Sequence, residues 1–281
     1  MRESGDPSQR KLKPPAAPGL SGELQQRFEA WIAAAAAAEP LRFPELRKGV
    51  QALSARYVER RGESRAAAGA FSGAGLRAAF ASFYAPLHFL AAYHTTRELP
   101  ASFRAGVRRI VDVGAGTGAV GAAVSLATSH APVLALDRSA WALAEARQSF
   151  RLLGTPGRTR RALLPAGLPR LGKGDLVTAG YVLNELPPAA REQLTAALSR
   201  ALGAGARLLV LEPLARGISP WWDDCVRRLA AAGAEPALFK WRIERPAWIE
   251  RLDDASGLDH REIGARVLWG PAGASAPARK G

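Results

Sequence analysis

The chain has 281 residues, 48% of them hydrophobic, a single cysteine and a formal net charge of +14. That length and apolar content suffice for a full core, while a lone Cys225 excludes intrachain disulfides and any multi-thiolate metal cluster, which need several sulfurs at one point. No apolar run reaches the roughly 18–20 residues that span a bilayer, and the first residues are charged and proline-bearing rather than signal-like, so a cytoplasmic protein away from membranes is expected.

The basic excess attracts polyanions by counterion release, which makes RNA or a ribonucleoprotein the expected partner. Solvated arginines in an Ala/Arg/Gly-rich composition are the alternative. Residues 1–110 hold 17 basic and 9 acidic residues and residues 111–281 hold 22 and 16, so the shorter N-terminal part is denser in positive charge.

Residues 1–20, with Pro7, Pro14, Pro15 and Pro18 among Lys and Arg, are expected to be a disordered basic tail. A helical segment over 21–106 follows. Leu24, Phe28, Trp31 and Ile32 fall at helical spacing ahead of Pro40, Leu46, Val50, Leu53 and Tyr57 repeat it, and Leu76, Phe80, Phe83, Tyr84, Leu87 and Leu90 mark a third helix bent at Pro86. Its aromatic residues read as core. His88, His94, His130 and His260 show no metal-ligand spacing, so no metal is expected.

From residue 107 to 270 short apolar runs alternate with amphipathic stretches, the pattern of an α/β fold with a parallel sheet covered by helices on both faces. Strands are expected over 109–113, 133–137, 159–163, 175–181 and 207–212, with helices over 118–130, 140–153 and 189–202, the last closed by Gly203. A helix over 220–232, another over 247–255 and a strand over 265–269 complete the pattern, and residues 271–281 form a flexible tail.

The run Ile110-Val111-Asp112-Val113-Gly114-Ala115-Gly116-Thr117-Gly118 is a buried strand entering a glycine-rich turn that opens a helix, with glycines where backbone must approach a ligand. Gly116, Gly118 and Gly121 also fit the spacing of a dinucleotide loop. Asp112 argues against that reading, because a carboxylate beside the glycines repels a pyrophosphate and favours the amine and sulfonium of S-adenosyl-L-methionine. Asp137 at the tip of the second strand is placed to accept ribose hydroxyls. The expected cofactor-binding set is Asp112, Gly114, Ala115, Gly116, Gly118, Asp137, Arg138, Leu164 and Tyr181, with Leu164 and Leu168 flanking an adenine ring.

Tyr181-Val182-Leu183-Asn184-Glu185-Leu186-Pro187 crosses the carboxyl edge of the fourth strand, where an acceptor would meet the transferred group. Asn184 and Glu185 are the candidate catalytic residues, the first for binding an acceptor amine or amide, the second for taking a proton. The structural alternative is that Asn184 caps the turn and Glu185 opens a surface helix. Glu212-Pro213 ends the fifth strand as a second candidate contact, and Trp221 and Trp222 read as packing. No cysteine lies on these strands for covalent attack on a pyrimidine.

Together with Leu211-Glu212-Pro213, Leu53-Ser54-Ala55-Arg56-Tyr57 and Phe83-Tyr84-Ala85-Pro86, these two motifs resemble the methyltransferase-like proteins associated with the small ribosomal subunit in bacteria and mitochondria, over about residues 45–270. The resemblance implies a class I S-adenosylmethionine-dependent methyltransferase fold and a role in small-subunit rRNA modification or ribosome assembly. Mitochondrial members carry an iron–sulfur cysteine cluster, which a chain with Cys225 alone cannot form. Three functions remain open: an rRNA methyltransferase docking through its basic helical segment, a catalytically silent assembly factor, and a small-molecule methyltransferase with a helical lid.

Overall fold

The computed structural model describes residues 14–39, 41–59, 73–214 and 220–271. Its centre is a seven-stranded sheet of order β3-β2-β1-β4-β5-β7-β6, formed by β1 (Arg109–Val113), β2 (Val133–Asp137), β3 (Gly157–Arg161), β4 (Asp175–Gly180), β5 (Arg207–Glu212), β6 (Glu235–Arg242) and β7 (Glu262–Gly270). β1 to β5 are mutually parallel, and β7 enters antiparallel between β5 and β6. This is the α/β arrangement expected of a class I methyltransferase, and it departs from the dinucleotide order, in which six strands run consecutively outward from the centre.

The central strands are buried along their length because helices cover both faces. Alternate residues feed two cores: Ile110, Val133, Ala135, Leu176 and Leu209 point to one side, and Val111, Val113, Leu134, Leu136, Val177 and Val210 to the other. The first side is covered by α6 (Ala119–Ala127), α7 (Ala140–Leu153) and the N-terminal helices, the second by α8 (Pro188–Gly203) and α9 (Trp222–Ala230).

The N-terminal helices are α1 (Gly22–Ala37), α2 (Phe43–Glu59), α3 (Ala74–Ala79), α4 (Ala85–Glu98) and the single turn α5 (Ala101–Arg104). Their predicted apolar stripes, including Leu24, Phe28, Trp31, Ile32, Leu46, Val50 and Leu53, are buried. They share one continuous cluster with the sheet face. Phe28 stacks on Phe89 at 5.0 Å, and the buried Trp31 Nε1 donates to Ser149 Oγ on α7 at 2.9 Å.

Three local expectations change. The break at Pro86 takes the form of a π-turn over Phe80–Tyr84, in which Ala85 N–H donates to Phe80 O. Proline brings no N–H and its ring crowds the preceding turn, and the wider register accommodates both. β3 begins two residues earlier than expected, its arginines giving no apolar signal. Gly203 is the last residue of α8 rather than its cap, and Gly205 supplies the left-handed conformation, at φ 85°.

The last seven residues of the expected N-terminal tail are placed. Ala16 bridges Arg242, where Ala17 N–H donates to Arg242 O and Arg242 N–H to Pro15 O, so the segment borrows the free edge of β6. Residues 1–13 and 272–281, the remainder of both expected tails, lie outside the described residues, as does Pro40. β6 is an addition to the expected strands, and α10 (Ala247–Ser256) precedes β7 as expected. Among the described residues no helix is long and apolar enough to cross a membrane, and no cluster of three metal-ligating side chains occurs.

Candidate active site

The strand order reverses between β1 and β4, which opens a crevice above their carboxyl ends. A cavity of about 630 Å³ occupies it, within the range typical of cofactor pockets. Its floor is the loop after β1. Gly114 (φ 65°) and Gly116 (φ 53°) take left-handed conformations, and a Cβ at Gly114 would lie 2.2 Å from Val182 Cγ2. The loop must therefore be glycine at position 114 on two independent grounds, backbone handedness and contact with the β4 turn.

Asp137 lines the cavity at the tip of β2. Its Oδ2 accepts from Gly116 N–H at 2.9 Å and its Oδ1 from Ser139 N–H at 2.7 Å. Each oxygen keeps a second lone-pair direction for a ligand hydroxyl. Ser139 caps α7 by accepting from Ala142 N–H at 3.2 Å, which fixes the turn that carries Arg138 to the rim.

Asp112 does not do what its position in the motif suggested. It is 1% exposed and does not line the cavity: Oδ1 accepts from Thr178 Oγ1 at 2.7 Å and Oδ2 from Gly121 N–H at 3.0 Å. Burial pushes its carboxyl up to about 7 against those two hydrogen bonds. Asp112 thus ties β1 to β4 and to the start of α6, behind the loop rather than in the cavity lining. Gly121 faces this carboxylate rather than the ligand space, since a Cβ there would fall 2.7 Å from Asp112 Oδ2. Gly118 is likewise behind the loop, at φ 79° against Phe150.

The structure brings Gly114, Ala115, Gly116, Asp137, Arg138, Leu164, Tyr181 and Glu185 to the cavity, and leaves Asp112, Gly118, Asn184 and Leu168 outside its lining. Asn184 Oδ1 is buried and has no hydrogen-bond partner among the described residues. Glu185 sits on the 3₁₀ turn Leu183–Glu185 at the cavity wall.

Glu212 holds that turn from below. Fully buried, it accepts from Leu183 N–H through Oε1 at 2.9 Å, and burial pushes its carboxyl up to about 8. Trp221 and Trp222 pack as expected, under the guanidinium groups of Arg191 (4.7 Å) and Arg266 (5.0 Å).

The opposite wall comes from the π-turn and α4. His88 stacks on Tyr181 at 3.9 Å with 17° between the rings, and Phe80 meets the edge of His88 at 6.0 Å. Burial, reinforced by His260, lowers His88 to about 3, so its ring is neutral. Tyr181 is held at φ 59°, a conformation that a bulky side chain adopts only under constraint. Its phenol is raised by burial and by Glu212. Neither His88 nor Phe80 stands out as a site residue in the sequence, where the one available signal is a histidine within the apolar first half of α4.

No known family profile matches the chain. A stretch of 119 residues is 40% identical to the ribosomal RNA large subunit methyltransferase G of Streptomyces coelicolor, covering 42% of this chain and 29% of that protein. The match thus spans less than a third of the length of that curated relative. Among solved structures, a putative O-methyltransferase from Nostoc punctiforme superposes with a TM-score of 0.48 at 15% identity, over 84% of this chain and 71% of that one. A riboflavin-derivative dimethyltransferase from Streptomyces davawensis gives 0.46 at 18%, over 69% and 56%.

Proposed function

We propose that this protein is an S-adenosylmethionine-dependent methyltransferase whose acceptor is ribosomal RNA. One observation carries the cofactor: a left-handed Gly114/Gly116 loop and the Asp137 carboxylate converge on one cavity at the switch point of a sheet that contains an antiparallel β7. The buried Thr117 Oγ1 on the same loop has no partner among the described residues and offers a further polar contact. These groups fit the cofactor. Asp137 would hold the ribose, the Gly114–Gly116 backbone the amino-acid end, and Leu164 and Ala162 the adenine.

When bound, the cofactor supplies an electrophilic methyl on its sulfonium. The chain's own residues build the acceptor side. Tyr181 and His88 form a neutral aromatic wall that excludes water, Glu185 presents a carboxylate for the acceptor's proton, and Glu212 fixes the turn bearing Glu185. Asn184, on the same turn, stays behind the cavity wall.

RNA as acceptor is supported by the charge of +14 and by the rRNA methyltransferase named among the relatives. The resemblance of the motifs favours small-subunit RNA, and the relative's name the large subunit. A second reading, a small acceptor under a helical lid, is favoured by Phe80 and His88 closing the cavity from the N-terminal helices. Labelled S-adenosylmethionine incubated with each ribosomal subunit and with a metabolite extract separates them. Label in rRNA is expected; label in metabolites alone, or in neither, overturns the proposal.

A further inference from the structure

Residues 138–170 carry seven arginines, Arg138, Arg147, Arg151, Arg158, Arg160, Arg161 and Arg170, against one acid, Glu145. The rest of residues 111–281 is charge-neutral, so the excess of that half lies in this stretch. All seven arginines are exposed, and none forms an ion pair among the described residues. By contrast the helical segment 21–106, the expected docking surface, carries eleven basic and seven acidic residues, a thinner excess spread over a longer stretch.

The fold gathers six of these side chains on one border, while Arg170 lies apart beside Arg109 at the amino end of β1. β3 is the outermost strand of the sheet, paired to β2 alone, and it presents Arg158, Arg160 and Arg161. α7 lies beside it, joined by Arg147 Nη1 donating to Thr159 Oγ1 at 2.9 Å, and Arg147 and Arg151 share one helix face at i, i+4. The carboxyl end of β3 opens on the cavity, where Arg161 Nε donates to Arg138 O at 3.0 Å and both residues line the mouth.

Edge strands often carry charge to repel further strands, but charge of either sign serves that purpose. An arginine-only edge without neutralising acids is stronger than protection requires. The planar guanidinium fork matches phosphate oxygens.

We propose that the β3 edge, with the adjoining face of α7, is an RNA-docking ridge that grips the phosphate backbone and leads the strand to the cavity mouth. The proposal rests on RNA as the acceptor, and its test is independent of methyl transfer. Binding of fluorescent single-stranded RNA is measured by anisotropy across a salt series for the full chain and for R151A/R158A/R160A, which leaves Arg138 and Arg161 at the cavity in place. A control, R47A/K48A/R97A, removes equal charge from exposed positions elsewhere.

Losing three phosphate contacts lowers the log–log salt slope by about 2, which corresponds to a roughly 100-fold loss of affinity at 0.1 M salt relative to 1 M. The ridge variant is expected to show this loss with unchanged S-adenosylhomocysteine affinity, while the control stays near wild type. Equal losses in both variants, no loss in the ridge variant, or wild-type binding to phosphatidylserine vesicles in place of RNA overturns the ridge. Ridge-dependent RNA binding without label transfer to rRNA upholds the ridge and refutes the acceptor assignment instead.

Discussion

Gly114→Ala tests the cradle most directly. Alanine at φ 65° costs roughly 1–2 kcal/mol of backbone strain. Its Cβ would also fall 2.2 Å from Val182 Cγ2 and 2.9 Å from Val182 Cβ, so a stiff β-branched residue that lines the cavity must be displaced. Overpacking of this kind costs about 1–3 kcal/mol, for a total of roughly 2–5 kcal/mol. Urea unfolding of wild type, G114A, V182A and the double variant forms a cycle that separates the two terms. In the V182A background the 2.2 Å clash with Cγ2 is gone and only the 2.9 Å approach to Cβ remains, so the cost of G114A is expected to shrink toward the backbone share, about 1–2 kcal/mol. Calorimetric titration with S-adenosylhomocysteine should show G114A binding weakly and the double variant partly restored. A G114A cost below about 1 kcal/mol, or one identical in both backgrounds, refutes the reasoning.

Asp137→Ala removes a charged acceptor worth about 1.5–3 kcal/mol to a ligand hydroxyl, so S-adenosylhomocysteine affinity should fall about 10- to 100-fold; unchanged calorimetric affinity refutes the ribose assignment. Glu212 is raised from an ordinary 4.5 to about 8, so it takes up a proton on folding: its contribution to stability is full below about pH 4.5 and is lost as pH rises through 8. Glu212→Gln keeps the acceptor for Leu183 N–H and should flatten the decline in urea midpoint between pH 5 and 8, and a wild-type slope in that variant would count against burial as the cause. His88 is shifted the opposite way, from 6.5 to about 3, so stability is present above pH 6.5 and lost as pH falls toward 3. His88→Phe should preserve the stack on Tyr181 and soften that acid loss, and an unaltered acid limb would show that His88 is not kept neutral by its surroundings.

Much of this is legible along the chain. β1, β2 and β5 begin and end where their apolar runs do, because a parallel strand buried on both faces is apolar almost throughout. The glycine loop and Asp137 are equally clear, since left-handed backbone and a strand-tip carboxylate leave local marks. β6 escapes a sequence reading although Ala237, Phe239 and Trp241 alternate inward, for its pattern is weak without β7 and the Pro15–Ala17 segment beside it.

What the residues determined alone was the order of the first five strands and the helices between them, the glycine cradle and the size of the positive charge, all properties of near neighbours in the chain. Only the tertiary structure decided that Asp112 turns inward to Thr178 and Gly121, that His88 meets Tyr181, and that the arginines of residues 138–161 collect along the β3 edge. Those outcomes depend on contacts between residues far apart in sequence. Local periodicity reports which face of an element is buried, and it carries no record of the group that face will meet.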